Sequence, residues 1–181
     1  MKKLLIFDLE GTLVESKSPL DSEMASLLSV LLCRIKVAVL SGASWLEFQQ
    51  QLLDPLAGNE NLEKLSLLPQ CGAQYYHYRS GWERRDSEDF PSPSGIDKAH
   101  GIKMLQETLG IHLQEMLFIG DGLFPGGDDH PVTATGVVGI RIRDPHESKR
   151  VIEAILACLC GDSHCAHPLT QLGVGLTFLP V

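Results

Sequence analysis

The stretch KLLIFDLEGTLV, residues 3–14, decides the fold class of this chain. Its apolar run Leu4 to Phe7 is short and uninterrupted, which predicts a strand buried on both faces of a sheet. Asp8 follows the run directly, Glu10 comes shortly after it, and Gly11 permits close approach of the backbone to a ligand. A carboxylate fixed at a strand end can attack phosphorus when a cation offsets the repulsion between the two anions.

Predicted strands and helices alternate along most of the chain beyond this stretch. Further strands are predicted at Lys36 to Leu40, Leu65 to Leu68, Gln74 to Tyr78, Met116 to Ile119 and Val137 to Ile142. Amphipathic helices are predicted at Glu23 to Cys33, Ser44 to Leu53, Ile96 to Leu109 and Asp144 to about Leu159. This alternation predicts an α/β fold, namely a three-layer, doubly wound and mostly parallel sheet.

Polar residues stand at the ends of several predicted strands. In folds of this kind, ligands bind at the carboxyl ends of the strands. Ser41 and Gly42 end one strand and begin a helix, so a hydroxyl and free backbone amides are available to a phosphate oxygen. Asp121 ends another strand, from which it can face Asp8 and complete an oxygen-rich magnesium site. Lys98 lies in the first turn of a predicted helix, where it can neutralise charge on a transferring group.

Four motifs in order resemble those of the haloacid dehalogenase superfamily. IFDLEGTLV resembles the first motif, usually DxDGT, and the segment Leu40 to Gly42 resembles the second. Lys98 stands for the third, and GDGLFPGGDD, residues 120–129, resembles the fourth. The GGDD ending and the GIDKAHGI context are most similar to subfamily IIB, the phosphomannomutase-like and sugar-phosphatase-like branch. The resemblance implies a Rossmann-like core.

The resemblance also implies a role for each matching residue. Asp8 would form an aspartyl-phosphate, and Glu10 would stand at the position of the general acid/base aspartate. The phosphoryl group would be held by Thr12, Ser41, Gly42 and Lys98, and magnesium by Asp8, the backbone carbonyl of Glu10, Asp121 and Asp129.

Three departures from the family pattern bear on activity. Glu10 replaces an aspartate and moves the carboxyl group by roughly 1.5 Å, which we expect to lower activity. Asp128 replaces the usual asparagine and adds negative charge; it can join the metal site, orient Lys98 or be a surface charge. Most of the cap domain is missing, and residues 79–94 are interpreted as the remnant of the cap insertion within a core domain of residues 1–160.

The missing cap favours hydrolysis, because an open site exposes a phosphoenzyme to water. The leading hypothesis is therefore a magnesium-dependent phosphatase acting on a small phosphate monoester, with a sugar phosphate as the expected substrate. A phosphomannomutase-like isomerase and a catalytically degenerate binding protein remain as alternatives. A homodimer in which a second subunit supplies a lid is also compatible with the sequence.

Composition restricts the partners and the compartment of this chain. It has 181 residues and a formal net charge of -8, which argues against nucleic acid or anionic membrane as a partner. The N-terminal apolar run is too short for a signal peptide, so we expect a cytoplasmic protein. The odd number of cysteines, 5, predicts reduced thiols. Residues 161–181 are predicted to be a tail or an added edge element, and the cysteine and histidine spacing there does not match a zinc site.

Overall fold

Seven strands form one mixed sheet in the computed structural model, which describes residues 1–58, 61–85 and 97–160. The strands are β1 (Leu4–Phe7), β2 (Lys36–Leu40), β3 (Leu65–Leu68), β4 (Tyr75–Tyr78), β5 (Trp82–Arg85), β6 (Met116–Gly120) and β7 (Val138–Arg141). Their order is β5-β4-β3-β2-β1-β6-β7. The pairs joining β3, β2, β1, β6 and β7 are parallel, whereas β4 and β5 pair antiparallel. The predicted mostly parallel, doubly wound sheet is confirmed.

The central position of β1 follows from its apolar sequence. The chain runs from β1 outward to β2 and β3, and later returns to the other side of β1 as β6 and β7. The order therefore reverses at β1, and a crevice for a ligand opens at the carboxyl ends of β1 and its neighbours. Every residue of β1 is buried, because both faces of the strand carry helices.

In the described ranges, five α-helices cover the two faces of the sheet: α1 (Ser22–Arg34), α2 (Trp45–Phe48), α3 (Lys98–Leu109), α4 (His130–Thr133) and α5 (Pro145–Cys160). Leu5 and Phe7 point to the face that packs with α1, α2 and α5. Leu4 and Ile6 point to the opposite face, which packs with α3 and α4. This alternation of side chains along β1 creates two apolar cores, one in each outer layer.

The predicted helix from Ser44 to Leu53 differs from the observed one in its second half. Ser44 caps α2 through a capping box with Glu47, as its position before an amphipathic run favours. The chain then widens into a π-helical segment, Gln49–Leu53. The carbonyl of Gln51 accepts a hydrogen bond of 2.8 Å from the amide of Leu20, which lies outside the helix. Residue 55, whose amide would reach the Gln51 carbonyl in a regular α-helix, is a proline without an N–H, so that carbonyl is available to the external bond.

The described part of the predicted cap remnant, residues 79–85, belongs to a hairpin at the edge of the sheet. Strand β5 pairs with β4 in a register that places Tyr78 opposite Trp82. Trp45 of α2 stacks on Tyr76 with ring centroids 3.8 Å apart, and Trp82 packs edge-on against Trp45. These rings pack the hairpin against the start of α2. The remainder of the predicted remnant, residues 86–94, lies outside the described residues.

Other sequence predictions fall partly outside the described residues. Helix α3 begins at Lys98 with Asp97 as its cap, and the predicted start at Ile96 is not among the described residues. The same holds for residues 161–181. Within the part of the chain that the structure describes, no helix combines the length and apolarity needed to cross a membrane.

Candidate active site

The nucleophile candidate Asp8 lies at the switch point of the sheet. Its backbone amide donates a hydrogen bond of 3.0 Å to the carbonyl of Ile119 in β6, which continues the pairing of β1 with β6. Asp8 is thereby fixed directly above two parallel strands. Asp8 is only 3% exposed, so it is withdrawn from bulk water.

The turn after β1 brings Asp121 close to the backbone. The carbonyl of Leu9 accepts hydrogen bonds from the amides of residues 12–14, and Gly11 adopts a left-handed conformation with φ 74°. A Cβ atom at Gly11 would lie 2.6 Å from Oδ2 of Asp121. The Thr12 hydroxyl accepts a bond of 3.2 Å from the Asp121 amide and lies 3.5 Å from its Oδ1. Glycine is therefore required at residue 11 if Asp121 is to occupy this place.

Three carboxylates surround the ammonium group of Lys98. Its Nζ lies 2.8 Å from Oδ1 of Asp8, 2.7 Å from Asp128 and 2.6 Å from Asp129. The latter two contacts are hydrogen bonds, whereas Oδ1 of Asp8 is an ion-pair partner without a hydrogen-bond donor among the described residues. The Lys98 side chain is only 2% exposed, which is tolerated because its charge is compensated.

Burial and charge shift the pKa values of this cluster. Burial raises the pKa of Asp8 to about 7, although Lys98 opposes the rise. Burial likewise raises the pKa of Asp129, again against the attraction of Lys98. Burial lowers the pKa of Lys98, but the attraction of Asp8 and Asp129 outweighs it and holds that pKa above its usual range. Lys98 therefore remains protonated while the carboxylates compete for it.

The fourth motif supplies two carboxylates that contact Lys98. Asp129 is fully buried; its Oδ1 accepts from Lys98, and its Oδ2 accepts a bond of 2.9 Å from the amide of Gly122. Asp128 reaches the same ammonium although its side chain is 70% exposed. Ligand oxygens of Asp8, Asp128 and Asp129 lie within 4.8 Å of one another, so they can in principle hold a cation. Lys98 already lies between them, which favours orientation of Lys98 as the role of Asp128.

Ser41 and Gly42 lie at the carboxyl end of β2, beside Asp8 on β1. Ser41 is buried, and its hydroxyl oxygen accepts a bond of 3.3 Å from the amide of Ala43. That bond leaves the hydroxyl proton available to an incoming anion. The backbone carbonyl of Ser41 accepts a bond of 2.8 Å from the amide of Cys71, a residue that the sequence motifs do not include.

Glu10 occupies a different environment from Asp8. Its Oε1 accepts a bond of 3.0 Å from the backbone amide of Lys17, which closes the loop between residues 10 and 17. Glu10 is partly exposed. The Lys17 amide is therefore a structural partner of the Glu10 carboxyl group.

Comparisons with known proteins give one curated relative and several solved structures of similar fold. No family model matches the chain. Human phosphomannomutase 1 is 33% identical over 114 residues, which are 63% of this chain. The match spans only 34% of the length of that protein, about a third.

Solved structures resemble the chain over most of its length. An IMP-bound IMP-nucleotidase of Plasmodium falciparum superposes with a TM-score of 0.73 at 16% identity, covering 86% of this chain and 68% of that one. A haloacid dehalogenase-like hydrolase from Bacteroides thetaiotaomicron gives 0.63 at 17% identity, covering 86% of this chain and all of that one. A trehalose-6-phosphate phosphatase related protein gives 0.61 at 14%, covering 89% of this chain.

The protein therefore has the fold of the haloacid dehalogenase-like hydrolases. The Rossmann-like core that the four motifs imply is confirmed, and the similarity to human phosphomannomutase 1 agrees with the phosphomannomutase-like branch.

Proposed function

We propose that this chain is a magnesium-dependent phosphatase that cleaves a phosphate monoester through an aspartyl-phosphate on Asp8. The observation that carries the proposal is the buried Asp8 at the switch point, paired with Lys98 at 2.8 Å. A carboxylate in this position can attack phosphorus, forming an oxygen–phosphorus bond as the bond to the leaving oxygen breaks. Water then cleaves the acyl phosphate and restores Asp8.

The residues around Asp8 fit a magnesium ion. The buried Oδ1 of Asp8 has the Lys98 ammonium as its ion-pair partner but forms no hydrogen bond with the other described residues, and Asp121 is held against Gly11 close to the same loop. Oxygen ligands of this kind are those that Mg²⁺ prefers. We assign the ion to Asp8, the backbone carbonyl of Glu10 and Asp121, with Asp129 as support. When bound, it offsets the repulsion between Asp8 and the phosphate.

Lys98, Ser41, Gly42 and Thr12 are assigned to the phosphoryl group. Lys98 carries a positive charge in a buried site, where its attraction for the equatorial oxygens of the transferring group is strong. Ser41 offers a hydroxyl proton, and Gly42 and Thr12 offer backbone amides. Asp128 and Asp129 fix Lys98, so that the ammonium group is in place before the substrate arrives.

Glu10 is assigned as the general acid that protonates the leaving oxygen and the base that then activates water. Its bond to the Lys17 amide holds it in the loop beside Asp8. Since that bond and proton transfer compete for the same carboxylate, we expect lower activity than with an aspartate at this position.

A small sugar phosphate is the proposed substrate, and no separate cap domain lies over the site among the described residues. The support is the similarity to phosphomannomutase 1 and to a trehalose-6-phosphate phosphatase related protein. The IMP-nucleotidase has IMP bound, so nucleoside monophosphates belong in the substrate panel.

A panel of phosphate esters tests the proposal. The purified chain should release phosphate from at least one member with Mg²⁺ and not with EDTA. Asp8→Asn should abolish release, whereas Asp54→Asn, at an exposed carboxylate, should not change it. Absence of turnover by the wild-type chain over sugar phosphates, nucleotides and aryl phosphates would contradict a phosphatase.

The similarity to phosphomannomutase 1 favours a second candidate, an isomerase that interconverts sugar 1-phosphate and 6-phosphate. The two activities separate in one assay. Phosphate release measures hydrolysis, and conversion of a sugar 1-phosphate to its 6-phosphate, followed by NMR, measures isomerisation. We expect hydrolysis to dominate, because a phosphoenzyme without a lid is open to water.

A further inference from the structure

We propose that the turn after β3, residues 69–73, is a positioning element that sets the place of Lys98 relative to Ser41. Its contact with α3 joins Gly72 to Gly101. The kinetic part of this proposal rests on the phosphatase function proposed above, whereas the position of Lys98 can be tested without any activity.

Backbone hydrogen bonds join one side of the turn to the loop after β2, which contains Ser41 and Gly42. The amide of Cys71 donates to the carbonyl of Ser41 at 2.8 Å, and the amide of Gln70 donates to the carbonyl of Ala43 at 3.0 Å. The amide of Ser41 in turn donates to Leu68 at 3.3 Å. These backbone hydrogen bonds therefore hold the turn and the loop after β2 together.

The other side of the turn lies directly against α3. A Cβ atom at Gly72 would lie 2.7 Å from Cα of Gly101 and 3.2 Å from its amide nitrogen. A Cβ atom at Gly101 would meet a methyl group of Leu40 and lie 3.2 Å from the carbonyl oxygen of Cys71. Two glycines thus allow a backbone-to-backbone contact that no other residue pair permits at this separation.

This contact is transmitted to Lys98 by the helix. Lys98 is the first residue of α3, and Gly101 lies in the same opening turn. The ammonium of Lys98 has three carboxylate partners at 2.6 to 2.8 Å, so a small displacement of the helix start would break this geometry. Since the turn also holds Ser41, it fixes both groups that are assigned to the phosphoryl oxygens.

The conformation of the turn is itself unusual. Gln70, Cys71 and Gly72 are consecutive residues with φ of 52°, 57° and 93°. Residues other than glycine are strained at positive φ. They keep this conformation only where surrounding contacts hold them in it. The bonds to Ser41 and Ala43 and the contact with Gly101 supply that enforcement.

The chain offers a matched pair of glycines for the test. Gly72 and Gly58 have similar conformations, with φ of 93° and 87°, but a Cβ atom at Gly58 would meet nothing within 4 Å. Gly72→Ala and Gly58→Ala therefore impose comparable backbone strain, and only Gly72→Ala separates the turn from α3. Gly101→Ala is a second variant, available if Gly72→Ala does not fold; its Cβ atom would press on the carbonyl oxygen of Cys71 in the turn as well as on the side chain of Leu40.

The first measurement is acetylation of Lys98 by acetic anhydride, read by mass spectrometry against exposed Lys103 on the same helix. In wild type we expect Lys98 to react at least about 10-fold more slowly than Lys103, because it is buried among carboxylates. Gly72→Ala should remove most of that protection below the melting temperature, and Gly58→Ala should not. Equal protection of Lys98 in both variants would overturn the proposal.

The second measurement is phosphatase kinetics. We expect Gly72→Ala to lower kcat about 10- to 100-fold with little change in KM, since the misplaced groups act on the transition state. Gly58→Ala should keep the wild-type kcat, and equal losses in both variants would also overturn the proposal. If wild type has no turnover, the proposed function fails, and acetylation of Lys98 alone decides whether the turn positions it.

Discussion

At the scale of single residues, the site is defined by how many carboxylates share one ammonium group. Asp8, Asp128 and Asp129 all contact Lys98, so the cluster has an excess of negative charge inside the protein. Burial, with a smaller contribution from Asp129, opposes ionisation of Asp8, and a second cation at the cluster would relieve that opposition.

The pKa of Asp8 predicts how stability depends on pH in metal-free protein. It is raised in the folded state to about 7 from the ordinary value of 3.8, so the folded state binds the proton more tightly than the unfolded state. This group therefore lowers the free energy of unfolding as pH rises from about 4 to 7. Asp8→Asn should be more stable than wild type above pH 7, by about 1–4 kcal/mol, and lose that advantage near pH 4.

Urea unfolding in EDTA across this pH range measures the difference. Asp54→Asn, at an exposed position, serves as the control and should show no such trend. A constant difference between Asp8→Asn and wild type at all pH values would contradict the assigned pKa.

Glu10 predicts the effect of restoring the usual aspartate. Glu10→Asp shortens the side chain, releases the bond to the Lys17 amide and should raise kcat about 10-fold, while Glu10→Gln should lower kcat about 100-fold. Steady-state rates on the best ester of the panel provide the measurement. Wild-type activity in Glu10→Gln would mean that this carboxyl group takes no part in proton transfer.

At the scale of elements, the sequence accounts for more of the fold than of the contacts between elements. The strands β1, β2 and β3 have the predicted bounds, because uninterrupted apolar runs flanked by polar residues specify buried strands. The π-helical segment Gln49–Leu53 was not predicted, since an amphipathic pattern does not specify which backbone hydrogen bond closes each helical turn.

At the candidate site too, the sequence predicts where residues stand on the strands but not which residues they contact. The strand-end positions of Asp8, Ser41 and Asp121 follow from local patterns. The triple contact of Lys98 and the meeting of Gly72 with Gly101 depend on packing between distant segments, which periodicity does not encode. The roles assigned to these residues in catalysis remain predictions.

The cap of α2 gives a prediction at this scale. Ser44 accepts a bond from the amide of Glu47, and Glu47 accepts one from the amide of Ser44. Ser44→Ala should lower the free energy of unfolding by about 1 kcal/mol, because a helix amide loses its partner. Thermal unfolding measures this loss, with Ser26→Ala on the exposed side of α1 as the comparison. An equal effect of the two substitutions would contradict a specific capping role.

At the scale of the whole molecule, the sheet places the site at one end and the hairpin at one edge. The site lies where the strand order reverses around β1, whereas β4 and β5 extend the sheet beyond β3. The described residues place the aromatic hairpin at the edge rather than over the crevice. Because the aromatic hairpin does not lie over the site, binding of a ligand there is best measured through the free energy of unfolding of the whole protein.

Magnesium should stabilise the folded protein as a whole. An ion that binds only the native state raises the free energy of unfolding by about 2.7 kcal/mol at 100 times its Kd. We expect MgCl₂ to raise the melting temperature of the wild type, and to raise that of Asp121→Ala far less. EDTA should reverse the effect, and an equal response to NaCl of matched ionic strength would show that the ion is not specifically bound.

The aromatic cluster at the hairpin determines what an optical experiment on this protein reports. The chain has 2 tryptophans, and both, Trp45 and Trp82, belong to that one cluster. Intrinsic fluorescence therefore observes the β4–β5 edge of the sheet, whereas far-ultraviolet circular dichroism averages over all helices and strands. If the edge detaches before the centre, the fluorescence transition will occur at lower denaturant than the dichroism transition, and one probe alone will misstate the cooperativity of unfolding.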